Sequence, residues 1–186
     1  MKGGSYPLQV QRLDMSESNK DFAYWWAQQG TWVEEPNERR EGSSGVQFIA
    51  ATEPGQPNLY VKRQINHCYR SLRYPLGRPT VFREKQAIRA FNALGVKTPK
   101  LVFCEAEKHP DHWRALMVTE ELKSFISLDE WYEERADAEQ QCKVQLFEKI
   151  ARMLTTFHQA GWQHSCCYGK HIFVKIDVSA DTVEVA

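Results

Sequence analysis

The stretch Cys142–Lys175 most constrains the fold, because a long amphipathic helix pattern runs into a glycine, a tight polar turn and a β-rich run. Cys142–His158 reads CKVQLFEKIARMLTTFH. Its apolar residues fall at Val144, Leu146/Phe147, Ile150/Ala151, Leu154 and Phe157, the spacing of one buried face at about 3.6 residues per turn. Gly161 supplies a helix terminator. Ile172–Ile176 then has strand composition, Asp177–Asp181 is polar and small, and Thr182–Val185 alternates again, which predicts a hairpin. The polar segment HSCCYGKH, His164–His171, is thus set between a helix end and a pair of strands.

Upstream, Leu59–Arg63 (LYVKR) is a short strand with Lys62 near its end. Before it, Trp32–Val46 reads WVEEPNERREGSSGV, where Gly42 and Gly45 could let a hairpin backbone approach a ligand's oxygens. Pro79–Lys85 opens a helix running to about Leu94, with Thr80 as its cap, Glu84 in its first turns, and Ala87, Ile88, Phe91 and Leu94 along one face. Leu101–Cys104 and Ala115–Thr119 are strand-like and flank a polar turn around Lys108–His112. The second leads into Glu120-Glu121-Leu122.

The segment His164-Ser165-Cys166, followed by His171, resembles a kinase catalytic loop, in which His-Arg-Asp precedes four variable residues and an Asn. HSCCYGKH is similar to the His-Arg-Asp-Cys-Tyr-x-x-His form of bacterial lipopolysaccharide kinases, with Ser165 and Cys166 substituted. With WVEEPN, RYPLGRPT, ALMVTEEL and YGKHIFVK, the order of elements resembles the Kdo/WaaP lipopolysaccharide kinase family and its acid-inducible InaA-type branch, from about Phe22 to the C-terminus.

That resemblance implies an α+β, protein-kinase-like two-lobe fold: a small antiparallel sheet with one helix, then a mainly helical second lobe truncated at its C-terminus. Residues 21–122 would form the N-lobe and 123–186 a partial C-lobe, with the hinge near Glu120–Lys123. The polar, aperiodic residues 1–20 are read as a mobile extension. The resemblance implies ATP as nucleotide, with Lys62 on its phosphates, Glu84 orienting Lys62, and Gly42 and Gly45 holding phosphates. It implies Mg2+, with His171 at the metal-binding Asn position. His164 would support the loop, and Cys166 occupies the place of the hydroxyl-orienting Asp. The implied reaction is phosphoryl transfer to a sugar hydroxyl of lipopolysaccharide core.

Two departures open other readings. The Cys166 thiol, with an ordinary pKa of about 8.5, is a poor substitute for a carboxylate unless ionised. The family's magnesium-binding Asp follows the strand that is Thr182–Ala186 here, and that strand reads as an interrupted element. A catalytically impaired pseudokinase acting as an acid- or stress-response interaction protein is the alternative, and a kinase-like structural domain with remnant polar groups is a third reading.

Charge and cysteine content bound the partners. Lys and Arg number 24 and so do Asp and Glu, which argues against broad nucleic-acid binding. No apolar run approaches the roughly 20 residues of a spanning helix, and the N-terminus lacks a signal-peptide core. The expected location is cytoplasmic, with peripheral contact at the inner membrane as an extension of it. Five irregularly spaced cysteines fit a reducing compartment.

Lys62–Lys85 nevertheless sets Lys62, Arg63, Arg70, Arg73, Arg78, Arg83 and Lys85 against one acid, Glu84. This is either a surface for a phosphorylated glycolipid or anionic membrane, or a solvated connection between strand and helix. The acidic run Asp129–Glu139 reads as an exposed helix or loop, and His158 as a packing or capping residue. Cys166 and Cys167 with His164 lack the Cys-x-x-Cys spacing of a zinc site. Tyr24-Trp25-Trp26 and Trp32 read as packing for the small sheet.

Overall fold

The computed structural model describes residues 20–39, 42–134, 140–163, 167–177 and 182–186. Of the expected extension only Lys20 is among them; residues 1–19 lie outside the described residues.

A short helix α1 (Phe22–Ala27) starts where the Asp21 carboxylate accepts the Tyr24 N–H at 2.8 Å, an N-cap that satisfies one otherwise unpaired donor. Strands β1 (Thr31–Arg39), β2 (Gly42–Ile49) and β3 (Leu59–Ile65) follow. A two-stranded hairpin, β4 (Cys68–Ser71) and β5 (Tyr74–Pro79), leads into α2 (Val81–Ala93), then β6 (Leu101–Lys108) and β7 (Trp113–Glu120). The main sheet has the antiparallel order β1-β2-β3-β7-β6.

Side chains alternate across a strand, and both faces of this sheet are covered. Val61, Leu116 and Val118 pack with Phe22 and Trp25 of α1 on one face, whereas Ala115, Met117 and Cys104 pack with Val81 of α2 on the other. Arg63 points to the α1 side, donating to the carbonyls of Trp25, Trp26 and Gln28 and to Gln47 Oε1 at 2.8 Å. The guanidinium thereby takes up carbonyls that the end of α1 leaves open. Burial lowers its pKa.

After β7 come β8 (Ile126–Ser127), α3 (Leu128–Glu134), α4 (Gln140–Gln159), β9 (Phe173–Asp177) and β10 (Thr182–Val185), with the strands in the order β10-β9-β8. Ser127 and Glu130 form a reciprocal capping box at α3: the Ser127 N–H reaches Glu130 Oε2 at 2.8 Å and the Glu130 N–H reaches Ser127 Oγ at 3.1 Å. These hydrogen bonds hold the Glu130 carboxyl below its usual range. The second core gathers Trp131, Leu146, Ile150, Ile172, Val174 and Val183.

Gly161, at φ 76°, ends α4 as expected, with the Trp162 N–H returning to the Phe157 carbonyl at 2.9 Å. The helix face is narrower than the periodicity suggested. Leu146, Ile150 and Phe157 are buried, but Val144 and Phe147 are each 48% exposed, because one seam against the strands accepts only part of the apolar stripe. The basic connection between β3 and α2 is not a plain loop either; it is the β4–β5 hairpin.

Candidate functional site

Lys62 of β3 lies opposite Met117 in the ladder, so its side chain projects from the α2 face of the sheet. Glu84 stands in the first turn of α2 and reaches down to it. Lys62 Nζ donates to both Glu84 carboxylate oxygens at 2.8 Å. The side chains are 25% and 36% exposed, so the pair borders solvent. A lysine ammonium has three donors; Glu84 engages two and leaves one direction open.

A buried polar network fixes the distance between strand and helix. Gln64, two residues beyond Lys62 on the same face and 1% exposed, accepts the Val81 N–H at 3.2 Å and donates to Thr80 Oγ1 at 2.8 Å. His67 Nδ1 also meets Thr80 Oγ1 at 2.8 Å. Thr80 occupies the N-cap position as expected, but its hydroxyl makes no cap hydrogen bond; Gln64 does that work. Gln64 has one signal in the sequence, a lone amide in LYVKRQI on the lysine's face.

The two glycines differ in placement. Gly45 pairs with Arg63, so it belongs to the α1 face rather than to the Lys62 face, and a Cβ on it would lie 2.8 Å from the Trp32 ring. Gly42 opens β2, and a Cβ there would lie 2.5 Å from the Asn66 backbone. Both allow close approach of neighbouring protein segments.

His171 ends a 3-10 turn, Gly169–His171, just before β9. Its N–H donates to the Tyr168 carbonyl at 2.9 Å, and its ring tilts towards Tyr168 with centroids 6.0 Å apart. The side chain borders an apolar cleft of about 160 Å³ that also touches Phe91, Leu122, Phe157 and Phe173. His164 and Cys166 lie outside the described residues. Beside the loop stands Asp129 of α3, so close to Gly169 that a Cβ on the glycine would fall 1.9 Å from its Oδ1. In the sequence this carboxylate is one member of a general acidic run.

At the junction between the two sheets, Asn58 Nδ2 donates to Glu121 Oε2 at 2.8 Å and the Glu121 N–H returns to the Asn58 carbonyl at 2.9 Å. Phe91 of α2 stacks on Phe157 of α4 at 4.0 Å. The helix that carries Glu84 therefore packs against the main sheet on one side and touches α4 on the other.

Among the described residues no three His, Cys, Asp or Glu side chains gather around one point, and His171 offers imidazole nitrogen where Mg2+ favours oxygen.

Comparison with known proteins identifies the family and the fold. A family model described as "Lipopolysaccharide kinase (Kdo/WaaP) family" matches residues 23–186. Protein InaA of Escherichia coli (strain K12) is 43% identical over 171 residues, covering 91% of this chain and 78% of that protein. Lipopolysaccharide core heptose(I) kinase WaaP of Pseudomonas aeruginosa is 35% identical over 105 residues, covering 53% of this chain and 38% of that kinase. A solved structure of WaaP in complex with acyl carrier protein superposes with a TM-score of 0.62 at 27% identity, over 88% of this chain. The chain spans 61% of that WaaP chain. The fold is kinase-like, as the order of elements implied.

Proposed function

The chain belongs to the lipopolysaccharide kinase (Kdo/WaaP) family, and from that premise we propose that it binds ATP through Lys62 and directs phosphoryl transfer to a sugar hydroxyl of lipopolysaccharide core. The single observation that carries this reading is the Lys62–Glu84 pair, with both oxygens at 2.8 Å from Nζ. Glu84 fixes the ammonium and leaves one N–H for a phosphate oxygen. Preorganised charge of this kind is how kinases handle a nucleotide.

In this reading residues 21–122 form the N-lobe and 123–186 part of the C-lobe, with the nucleotide entering beside Glu120–Lys123. Gly42 contributes backbone near the phosphates, on the Lys62 side of β2, while Gly45 serves by packing. His164 supports the loop and His171 faces the phosphates. The protein works in the cytoplasm, peripherally at the inner membrane. Kinases of this kind use Mg2+ to neutralise charge between phosphates.

A second reading is favoured by Cys166, a thiol where the family's loop carries Asp. A neutral thiol takes a hydroxyl proton poorly, which points to a pseudokinase that binds nucleotide and acts through partners in an acid or stress response. Binding and turnover separate the two. Thermal-shift titration should give an ATP response with little dependence on Mg2+, lost in Lys62→Ala and weakened about tenfold in Glu84→Gln, roughly the worth of one charge-assisted hydrogen bond. Equal responses from wild type and Lys62→Ala count against Lys62 as a ligand. Phosphate transfer to purified lipopolysaccharide core, dependent on Lys62, selects the kinase; nucleotide binding without transfer selects the pseudokinase.

A further inference from the structure

The β4–β5 hairpin stands apart from the Lys62–Glu84 pair and has no part in the reading above. From Cys68 to Arg83 the chain carries Arg70, Arg73, Arg78 and Arg83 and not one Asp or Glu. No ion pair among the described residues engages any of the four. Aromatic rings hold several of them instead. Arg83 lies 3.7 Å over Tyr69, and Arg78 lies 4.6 Å over Tyr74 and 4.4 Å over Phe82. Stacking of this kind orders a guanidinium without neutralising it.

At the turn and on the second strand of the same hairpin, Leu72 is 104% exposed and Leu76 93% exposed. A lone exposed leucine needs no explanation. Two almost fully bare leucines on one short, arginine-rich hairpin are a different matter, since that pairing is what an interfacial membrane element needs. Beside them a groove of about 580 Å³ is lined by Tyr69, Arg70, Leu76, Arg83, Lys108 and Trp113, and no carboxylate lines it. Cationic walls with aromatic neighbours suit a phosphate head group at the depth where the leucines would meet acyl chains.

We propose that the β4–β5 hairpin is a membrane-surface anchor, with Leu72 and Leu76 entering the headgroup boundary of an anionic bilayer and Arg70, Arg73, Arg83 and Lys108 meeting lipid phosphates. This deepens the peripheral location proposed above by naming its surface. An acidic protein would match the arginines but would leave Leu72 and Leu76 without an apolar counterpart.

The test is co-sedimentation of the full chain with phosphatidylcholine vesicles, with and without phosphatidylglycerol. Partition should need the anionic lipid. It should fall about tenfold in Leu72→Ser/Leu76→Ser, from lost apolar burial, and about fivefold for each charge removed in Arg70→Gln/Arg73→Gln. Soluble glycerol phosphate should compete weakly. Both variants change exposed side chains and should keep the wild-type melting temperature and ATP response, so failure of nucleotide binding and failure of membrane binding are read separately. Absence of partition onto anionic vesicles, or partition unchanged in both variants, overturns the proposal. Loss in the arginine variant alone overturns it too, because it leaves a purely electrostatic surface with no entry of Leu72 and Leu76 into the bilayer; full competition by glycerol phosphate would reduce it to a free-phosphate site.

Discussion

Gln64 Oε1 accepts the Val81 N–H at 3.2 Å, so the strand that carries Lys62 holds the first turn of the helix that carries Glu84. Replacing Gln64 by Leu keeps the volume close but leaves the Val81 N–H and the Thr80 hydroxyl without this partner. Urea unfolding of Gln64→Leu should show a loss of about 1–3 kcal/mol. The ATP response should weaken with it, because α2 is then free to shift over Lys62. A variant with wild-type stability and wild-type ATP response would remove Gln64 from this role.

Gly42 and Gly45 should behave as packing residues first. A methyl on Gly42 meets the Asn66 and His67 backbone, and one on Gly45 meets the Trp32 ring and the Glu34 carbonyl. Gly42→Ala and Gly45→Ala should each destabilise by about 1–3 kcal/mol through overpacking, read as a lower denaturant midpoint without any nucleotide present. Only Gly42→Ala should also alter the ATP response.

Cysteine labelling should separate two thiols sharply. Burial pushes the Cys104 thiol up to about 11, and the residue is 4% exposed, whereas Cys167 is exposed. Alkylation proceeds through the thiolate. Under mildly alkaline native conditions iodoacetamide should therefore modify Cys167 while Cys104 reacts only after denaturation, as peptide mapping by mass spectrometry would reveal. Early native labelling of Cys104 would mean that the α2 face opens readily.

Glu184 predicts an acid-sensitive contact. Lys97 and Lys175 donate to its carboxylate at 2.7 and 2.9 Å and hold its pKa down from 4.5 to about 2. A carboxylate depressed on folding contributes stability above its unfolded pKa and loses it as pH falls through the folded one. The contribution should be complete above pH 4.5 and fade towards pH 2. Glu184→Gln should flatten the pH dependence of the melting temperature in that window; identical profiles for both proteins would show the contact to be without effect. The site is exposed, so raised salt should diminish the difference.

How much of this was legible in the sequence depended on the kind of signal. The pairing of Lys62 with Glu84 is expected only through the resemblance to kinases, in which a strand lysine meets a helix glutamate; in isolation either residue reads as an ordinary surface charge. The face of α4 was legible at Leu146, Ile150 and Phe157, but periodicity cannot report how wide a seam the partner offers, and Val144 and Phe147 stayed outside. The β4–β5 hairpin was missed because Arg70, Arg73, Pro75, Arg78 and Pro79 interrupt any β pattern; its strands are held by Tyr69 and Tyr74 stacking with arginines, which no local preference records. Gln64 was passed over because its importance lies in where α2 begins, a tertiary fact. The nearness of Asp129 to Gly169 likewise spans forty positions of sequence.

The stacking of Phe91 on Phe157 has a consequence for how the chain acquires its shape. Every strand of the five-stranded sheet, and α2 on it, is drawn from residues up to Glu120, while the ring that covers Phe91 belongs to a helix made later. On a ribosome, where chains emerge N-terminus first, that sheet should assemble with Phe91 bare and wait for α4 to arrive. Pulse-labelled hydrogen exchange during refolding should accordingly find β3 and β7 amides protected before those of β9. In the interval between the two events Phe91 lacks the ring that covers it in the finished fold.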